Sequence, residues 1–279
     1  MLKKRNKWGK DGLKDTSNYF TTKYFMEGLK DKIIVFAGAG GIADGIAKFL
    51  GAGGAKIVVG DVLIGNAERC VQVAKDAGGD GIAIALDISN AESVKSLIDL
   101  AISKYGKING LFNVAANIHP DEVARDTNPV DIDLAVWQRN IDINLTGFLL
   151  TCKYAIPHIV EAGGGSVVNT ISDAAYAGMP DKVAYSVTKA GIGALTRNIA
   201  SRFGKQGIRC NAVSPGLVMT ETGLKNSGQL VDIVLQMIPS PRIGKPEDIG
   251  SIVAFLISDL SEYITGQSIC VDGGAIMRT

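Results

Sequence analysis

From residue 32 onward the chain alternates between two hydrophobic patterns. Short apolar runs rich in β-branched residues recur: KIIVFAG (32–38), KIVVGD (56–61), GIAIALD (81–87), GLFNVAA (110–116), SVVNTIS (166–172), IRCNAVSPG (208–216) and SICVDGG (268–274). Several are apolar throughout, as a strand covered on both faces requires. Between them lie stretches with apolar residues every three or four positions. AESVKSLIDLAISKYG (91–106) places Val94, Leu97, Ile98, Ala101 and Ile102 at helical spacing. PEDIGSIVAFLISD (246–259) begins with Pro246 and two acids, which a helix N-terminus favours. Strand and helix in repeated alternation need crossover connections. The pattern therefore predicts an α/β fold: a Rossmann-like doubly wound parallel sheet of about seven strands with helices on both faces.

Two stretches break the pattern. Residues 117–133 are polar and loop-like. Residues 217–245 are longer than an ordinary connection and carry Leu230, Val231, Ile233, Val234, Leu235, Met237 and Ile238. An apolar insertion of that length predicts a lid. No low-complexity linker follows residue 32, so 30–279 reads as one domain and 1–29 as an extension. The extension sets Lys3, Lys4, Arg5, Lys7, Lys10 and Lys14 against Asp11, and lacks the apolar core of a signal peptide. It reads as a solvated tail on a cytoplasmic protein, with the aromatics of NYFTTKYF (18–25) placed to dock the segment on the body or on a neighbouring subunit.

Composition narrows the function classes. Among the 279 residues, 46% are hydrophobic and 20% charged, and the net charge is +1, so nothing calls for a nucleic-acid partner. No run of apolar residues is long enough for a membrane span. Cys70, Cys152, Cys210 and Cys270 are far apart and form no C-x-x-C pair, so they read as reduced, buried thiols and not as metal ligands.

The candidate chemistry starts where the first strand ends. In FAGAGGIADG (36–45), Gly38, Gly40 and Ala43 fit G-x-G-x-x-A. The first glycine permits a tight turn, the second lets backbone approach a pyrophosphate, and the small third residue lets helix and strand pack. The following helix offers free N–H groups and a positive dipole end. Asp61 ends the second strand, where an acid accepts the ribose hydroxyls of NAD. No Arg or Lys lies in the turn or directly after Asp61 to receive a 2′-phosphate, which favours NAD over NADP. Up to this point a nicotinamide enzyme and a nucleotide-type methyltransferase both remain open. Tyr185 and Lys189, four apart and so on one helical face, separate them. A cation near a phenol favours the phenolate, which makes the pair a candidate acid–base couple, with Ser172 at the end of the preceding strand.

With these residues the chain resembles the short-chain dehydrogenase/reductase family, in its compact single-domain branch, over about residues 30–279. The resemblance rests on Ser172, on the Y-x-x-x-K of Tyr185 and Lys189, on NVAA (113–116), on Asn144 in INLTG, on SPGLVMT (214–220) and on YITGQSICVDGG (263–274). It implies that Tyr185 gives or takes the substrate's proton. Lys189 lowers the Tyr185 pKa and holds the nicotinamide ribose, Ser172 binds the substrate oxygen, and Asn144 helps hold a relay water. It further implies cofactor contacts from Gly38, Gly40, Gly41, Ile42, Asp61, Asp87, Ile88, Asn113, Ala115, Pro215, Gly216 and Val218. It also implies a homotetramer built through the helices bearing Asn144 and Tyr185, with Ala190, Gly191, Gly193 and Ala194 permitting close contact.

The chain departs from the family's T-G-x-x-x-G-x-G motif. Ala37 replaces Thr, one turn residue is missing, and Ala43 replaces the last Gly. Val114 and Ala116 replace Asn and Gly in the family's N-N-A-G. These changes bear on cofactor affinity more than on catalysis. The expectation is an NAD-dependent interconversion of a secondary alcohol and a ketone on a largely apolar, possibly cyclic, small-molecule substrate. A 3-oxoacyl-thioester reductase is the alternative enzyme, and a non-catalytic nucleotide-sensing scaffold the alternative of another class. His119 is a candidate for the substrate mouth, whereas His158 and Trp137 read as structural. Neither His completes a Ser-His-Asp arrangement.

Overall fold

The computed structural model describes residues 24–220 and 228–277. The apolar runs become β1 (Ile33–Ala37), β2 (Lys56–Asp61), β3 (Asp80–Ala85), β4 (Gly110–Asn113), β5 (Gly165–Thr170), β6 (Ile208–Pro215) and β7 (Ser268–Val271). They form one seven-stranded sheet in the order β3-β2-β1-β4-β5-β6-β7, with every neighbouring pair parallel. The expected Rossmann-like architecture is what the chain adopts.

The helices are α1 (Gly41–Ala52), α2 (Ile64–Asp76), α3 (Ala91–Tyr105), α4 (Pro120–Arg125), α5 (Leu134–Asn140), α6 (Gly147–Glu161), α7 (Val183–Phe203), α8 (Gly228–Met237) and α9 (Pro246–Ile257). A π-helical turn, Ile141–Thr146, joins α5 to α6. Side chains alternate across a strand, and β1 divides accordingly. Ile33, Val35 and Ala37 join the core cluster beneath α3, α6 and α7, while Ile34 and Phe36 join the cluster beneath α1, α2 and α9. Both faces are thus dry, which is why the strands read as nearly unbroken apolar runs. Cys70, Cys152 and Cys210 are buried in these clusters as free thiols, and Cys270 is half-buried.

Strand order reverses between β1 and β4. There the chains leaving the two carboxyl ends diverge and open a crevice, the usual ligand position in such sheets. Register fixes what meets there: Ala37 lies opposite both Gly60 and Asn113. The turn after β1 passes so close to the β4 exit that a Cβ on Gly38 would lie 2.5 Å from the Ala115 nitrogen, and Gly38 has φ +105°. Only glycine fits both conditions.

The basic stretch and Tyr19 and Phe20 lie outside the described residues. Tyr24 packs edge-to-face on Phe49 at 5.0 Å and Leu29 is fully buried, so the end of the expected extension is seated on the body. In the expected lid, Val218 bridges Gly244 and α8 forms its apolar centre, with 221–227 outside the described residues. Among the described residues, no helix is long and apolar enough to cross a membrane.

Candidate active site

The glycine turn is built around Asp61. One carboxylate oxygen accepts the Ala39 N–H at 2.7 Å. The other accepts the Leu63 N–H at 2.9 Å and the Asn66 side-chain amide at 3.3 Å. Asp61 therefore holds the tip of the turn. A Cβ on Gly41 would press on the Thr220 side chain at 2.7 Å, whereas a Cβ on Gly40 would meet nothing within 4 Å. Gly40 is also the N-cap of α1, and no side chain caps that terminus. Open space over a glycine, at an uncapped helix N-terminus beside a strand-end carboxylate, fits a dinucleotide pyrophosphate with its ribose on Asp61.

The other expected cofactor contacts have the following surroundings. Ile42 is half-buried in α1. Ala115 donates its N–H to the Ala37 carbonyl at 2.9 Å. Ile88 is buried against Gly147, and Asp87 is exposed, with one oxygen accepting from Ser89. Pro215, Gly216 and Val218 lead from β6 into the lid. Asn113 is the exception. It is fully buried, donates to Asn169 at 2.9 Å and accepts from Thr151 at 2.7 Å. Its side chain ties β4 to β5 and α6 and is not available to a cofactor.

At the end of β5, Ser172 caps a short turn by accepting the Ala174 N–H at 3.3 Å. Its hydroxyl and the Tyr185 phenol line the same cavity, and the hydroxyl favours the phenolate. Lys189 lies one turn beyond, 1% exposed, and its ammonium donates to the Thr170 carbonyl at 3.0 Å. It also stands 5.6 Å from the centre of the Tyr185 ring and 5.3 Å from that of Phe148.

Burial dominates the electrostatics of this group. It pulls Lys189 down to about 7. Burial also pushes the Tyr185 phenol above its ordinary value, and Asp173 adds to the rise, while the Ser172 hydroxyl opposes it. For the chain by itself, burial is the largest influence on the phenol and its net direction is upward. A lysine that has lost its hydration holds its own proton weakly and offers less charge to its neighbour.

Asn144 sits in the π-helical turn, fully buried. Its side-chain oxygen accepts the Asn117 N–H at 2.8 Å and its amide donates to Asn140 at 2.9 Å. Above Ser172 and Tyr185 opens a cavity of about 530 Å³. The 217–245 stretch supplies Val234, Met237 and Ile238, and the segment after β4 supplies Asn117, Ile118 and Val123. Asp173 and Asp272 also face it. Asp173 accepts from Ser214 at 3.0 Å, and burial pushes its carboxyl up to about 6. Asp272 accepts the Gly274 and Ile276 N–H groups, both at 2.8 Å, and so holds the C-terminal turn.

His119 is exposed beside Asp121 and is not among the cavity-lining residues, contrary to expectation. His158 lies on the α6 surface, 3.1 Å from Glu161. Thr220, over the glycine turn, and Asp126, beneath α7, are site residues that the sequence pattern did not single out. Thr220 lay within the quoted SPGLVMT, but nothing local to Asp126 signalled its contacts, which span 58 and 59 residues.

The comparisons with known proteins agree with this geometry. A family model described as enoyl-(acyl carrier protein) reductase matches residues 37–275. The 7α-hydroxysteroid dehydrogenase of Bacteroides fragilis is 34% identical over 251 residues, covering 89% of this chain and 96% of that protein. The 3-oxoacyl-[acyl-carrier-protein] reductase of Thermotoga maritima is 30% identical over 250 residues, covering 89% and 99%. Among solved structures, a short-chain type dehydrogenase/reductase from Mycobacterium ulcerans superposes with a TM-score of 0.82 at 28% identity, covering 90% of this chain and 91% of the other.

Proposed function

The chain belongs to the short-chain dehydrogenase/reductase family, an oxidoreductase acting on CH–OH groups with a nicotinamide nucleotide, and on that premise we propose that it is an NAD-dependent dehydrogenase of secondary alcohols. The observation that carries the reading is the convergence of Ser172 and Tyr185 on one cavity, with the buried Lys189 ammonium 5.6 Å from the Tyr185 ring centre.

When bound, the nicotinamide supplies the hydride acceptor or donor. The chain does the rest. Ser172 donates a hydrogen bond to the substrate oxygen and fixes its position. Tyr185 takes the hydroxyl proton during oxidation and returns it during reduction. Lys189 stabilises the phenolate to the extent that it carries its own proton. The lid and the 117–123 segment exclude water. Asp61 selects NAD: it would accept from ribose hydroxyls and repel a 2′-phosphate. The lining by Val123, Val234, Met237 and Ile238 suits a largely apolar, cyclic alcohol, in keeping with the hydroxysteroid named for the Bacteroides relative.

The Thermotoga relative favours a second reading, reduction of a 3-oxoacyl thioester by the same residues. We further propose a cytoplasmic homotetramer. A groove of about 620 Å³ between α6 and α7, lined by Cys152, Ile156, Ile199 and Phe203, would be covered by a second copy. Replacing Tyr185 with Phe tests the chemistry. Alcohol turnover should fall by about 10²–10⁴-fold while NADH still binds. Unchanged turnover would contradict the role of Tyr185, whereas no alcohol turnover by the unaltered chain, with its cellular role kept in Tyr185→Phe, would leave the nucleotide-sensing scaffold.

A further inference from the structure

The first turn of α7 carries Tyr185, and an unusual cap holds it. An α-helix begins with N–H groups that have no partner within the helix. Here the residue before the helix, Lys182, is in the left-handed region at φ 67° and its side chain caps nothing. The partners come instead from two consecutive residues far away in sequence. The Asp126 carbonyl accepts the Lys182 N–H at 2.8 Å, and the Thr127 carbonyl accepts the Val183 N–H at 3.2 Å. One oxygen of the Asp126 carboxylate accepts the Ala184 N–H and the other the Tyr185 N–H, each at 2.9 Å. Asp126 is 4% exposed, and a carboxylate enclosed to that degree needs such partners.

The same segment holds the other catalytic helix. The Asn117 N–H donates to the Asn144 side chain in the π-helical turn, and the Asn117 amide donates to Glu122 at 3.3 Å. Asn117, Glu122, Val123 and Asp126 all line the cavity together with Ser172 and Tyr185. One wall of the cavity and the backbone of the proton-transfer residue are therefore a single hydrogen-bonded unit.

We propose that Asp126 is a positioning residue for Tyr185. By accepting the Ala184 and Tyr185 N–H groups together, its carboxylate sets the height of the α7 N-terminus on the sheet, and with it the placement of the phenol against Ser172. A shift of about 1 Å in such a group is enough to cost about 10²-fold in rate. Among the described residues, no hydrogen bond joins Asp126 to the glycine turn of the cofactor crevice. Loss of the cap should thus act on the chemical step and not on nucleotide binding.

The inference rests on the proposed role of Tyr185, so the test runs Asp126→Asn, Asp126→Ala and Tyr185→Phe beside the unaltered chain. The assay is NAD-dependent oxidation of a panel of secondary alcohols that includes cyclohexanol, with NADH affinity measured by fluorescence. Asn keeps one acceptor and Ala none. The expected result is NADH affinity within about threefold of the unaltered chain in both variants, KM within about threefold, and kcat lowered about tenfold by Asn and about a hundredfold by Ala. Turnover lost in Tyr185→Phe but kept in both Asp126 variants overturns the positioning role alone. So does a fall in NADH affinity that parallels the fall in kcat, or failure of both variants to fold, since Asp126 would then hold the fold and not the phenol. No turnover of any alcohol by the unaltered chain overturns the proposed function and this inference with it, and full turnover in Tyr185→Phe overturns the role of Tyr185 and hence this inference.

Discussion

Asp61 has two tasks at once, and they separate experimentally. It pins the Ala39 and Leu63 N–H groups, and under the proposed function it presents negative charge to the ribose 2′-position. Asp61→Ala should therefore weaken NADH binding at least tenfold and narrow or reverse the preference against NADPH. Removing a charged acceptor from two backbone donors should also destabilise the chain by about 1–3 kcal/mol, measured by urea unfolding. Unchanged relative affinity for the two nucleotides would mean that Asp61 serves only the turn. The sequence disclosed its position at the strand end but not its bond to Ala39, because a register of 22 residues along the chain carries no local signature. Ser172, Tyr185 and Lys189 were legible for the opposite reason: two share one helical face, and the third ends an adjoining strand. Their electrostatics were not legible, since desolvation depends on everything packed around Lys189, including Phe148 from another helix.

Elements were read with more success than their ends. The strands are nearly uniform in pattern because both faces are buried, and seven runs became seven strands. The stretch 117–133 reads as loop, yet Pro120–Arg125 forms a single short helix beneath which Asp126 turns inward. Its six residues are too few to show amphipathic periodicity, and its start is marked only by Pro120 and two acids. The helix bearing Asn144 contains a π-helical turn that no periodicity announces. The shortened glycine turn makes a sharp prediction at this scale. Gly38→Ala would force φ +105° on a side chain 2.5 Å from Ala115, and should cost about 2–4 kcal/mol in stability. Gly40→Ala meets nothing within 4 Å and has φ −94°, so it should unfold at nearly the same temperature while losing at least tenfold in NADH affinity. Unchanged NADH affinity in Gly40→Ala would refute the assignment of Gly40 to the phosphate contact.

For the whole molecule, the buried Lys189 links folding to pH. Its pKa falls from 10.5 to about 7 on folding. Between those values the unfolded chain binds more protons than the folded one, so the Lys189 contribution makes stability rise with pH from about 7 towards 10 and leaves it flat below 7. Lys189→Met removes that dependence. Its melting temperature relative to the unaltered chain should be more favourable at pH 7 than at pH 10, and an equal difference at both would place the ammonium outside the dry core. The two buried faces, the crevice at the strand-order reversal and the cavity beneath the lid all follow from one parallel sheet. That sheet is why so much of the molecule could be read from alternation alone. The dinucleotide site is the feature on which the functional account depends, because its turn departs from the family's motif. Its most direct test is a fluorescence titration of the purified chain with NADH and, in parallel, with NADPH. The account predicts saturable NADH binding at least tenfold tighter than NADPH binding. Equal or tighter NADPH binding, or no binding of either, would contradict it.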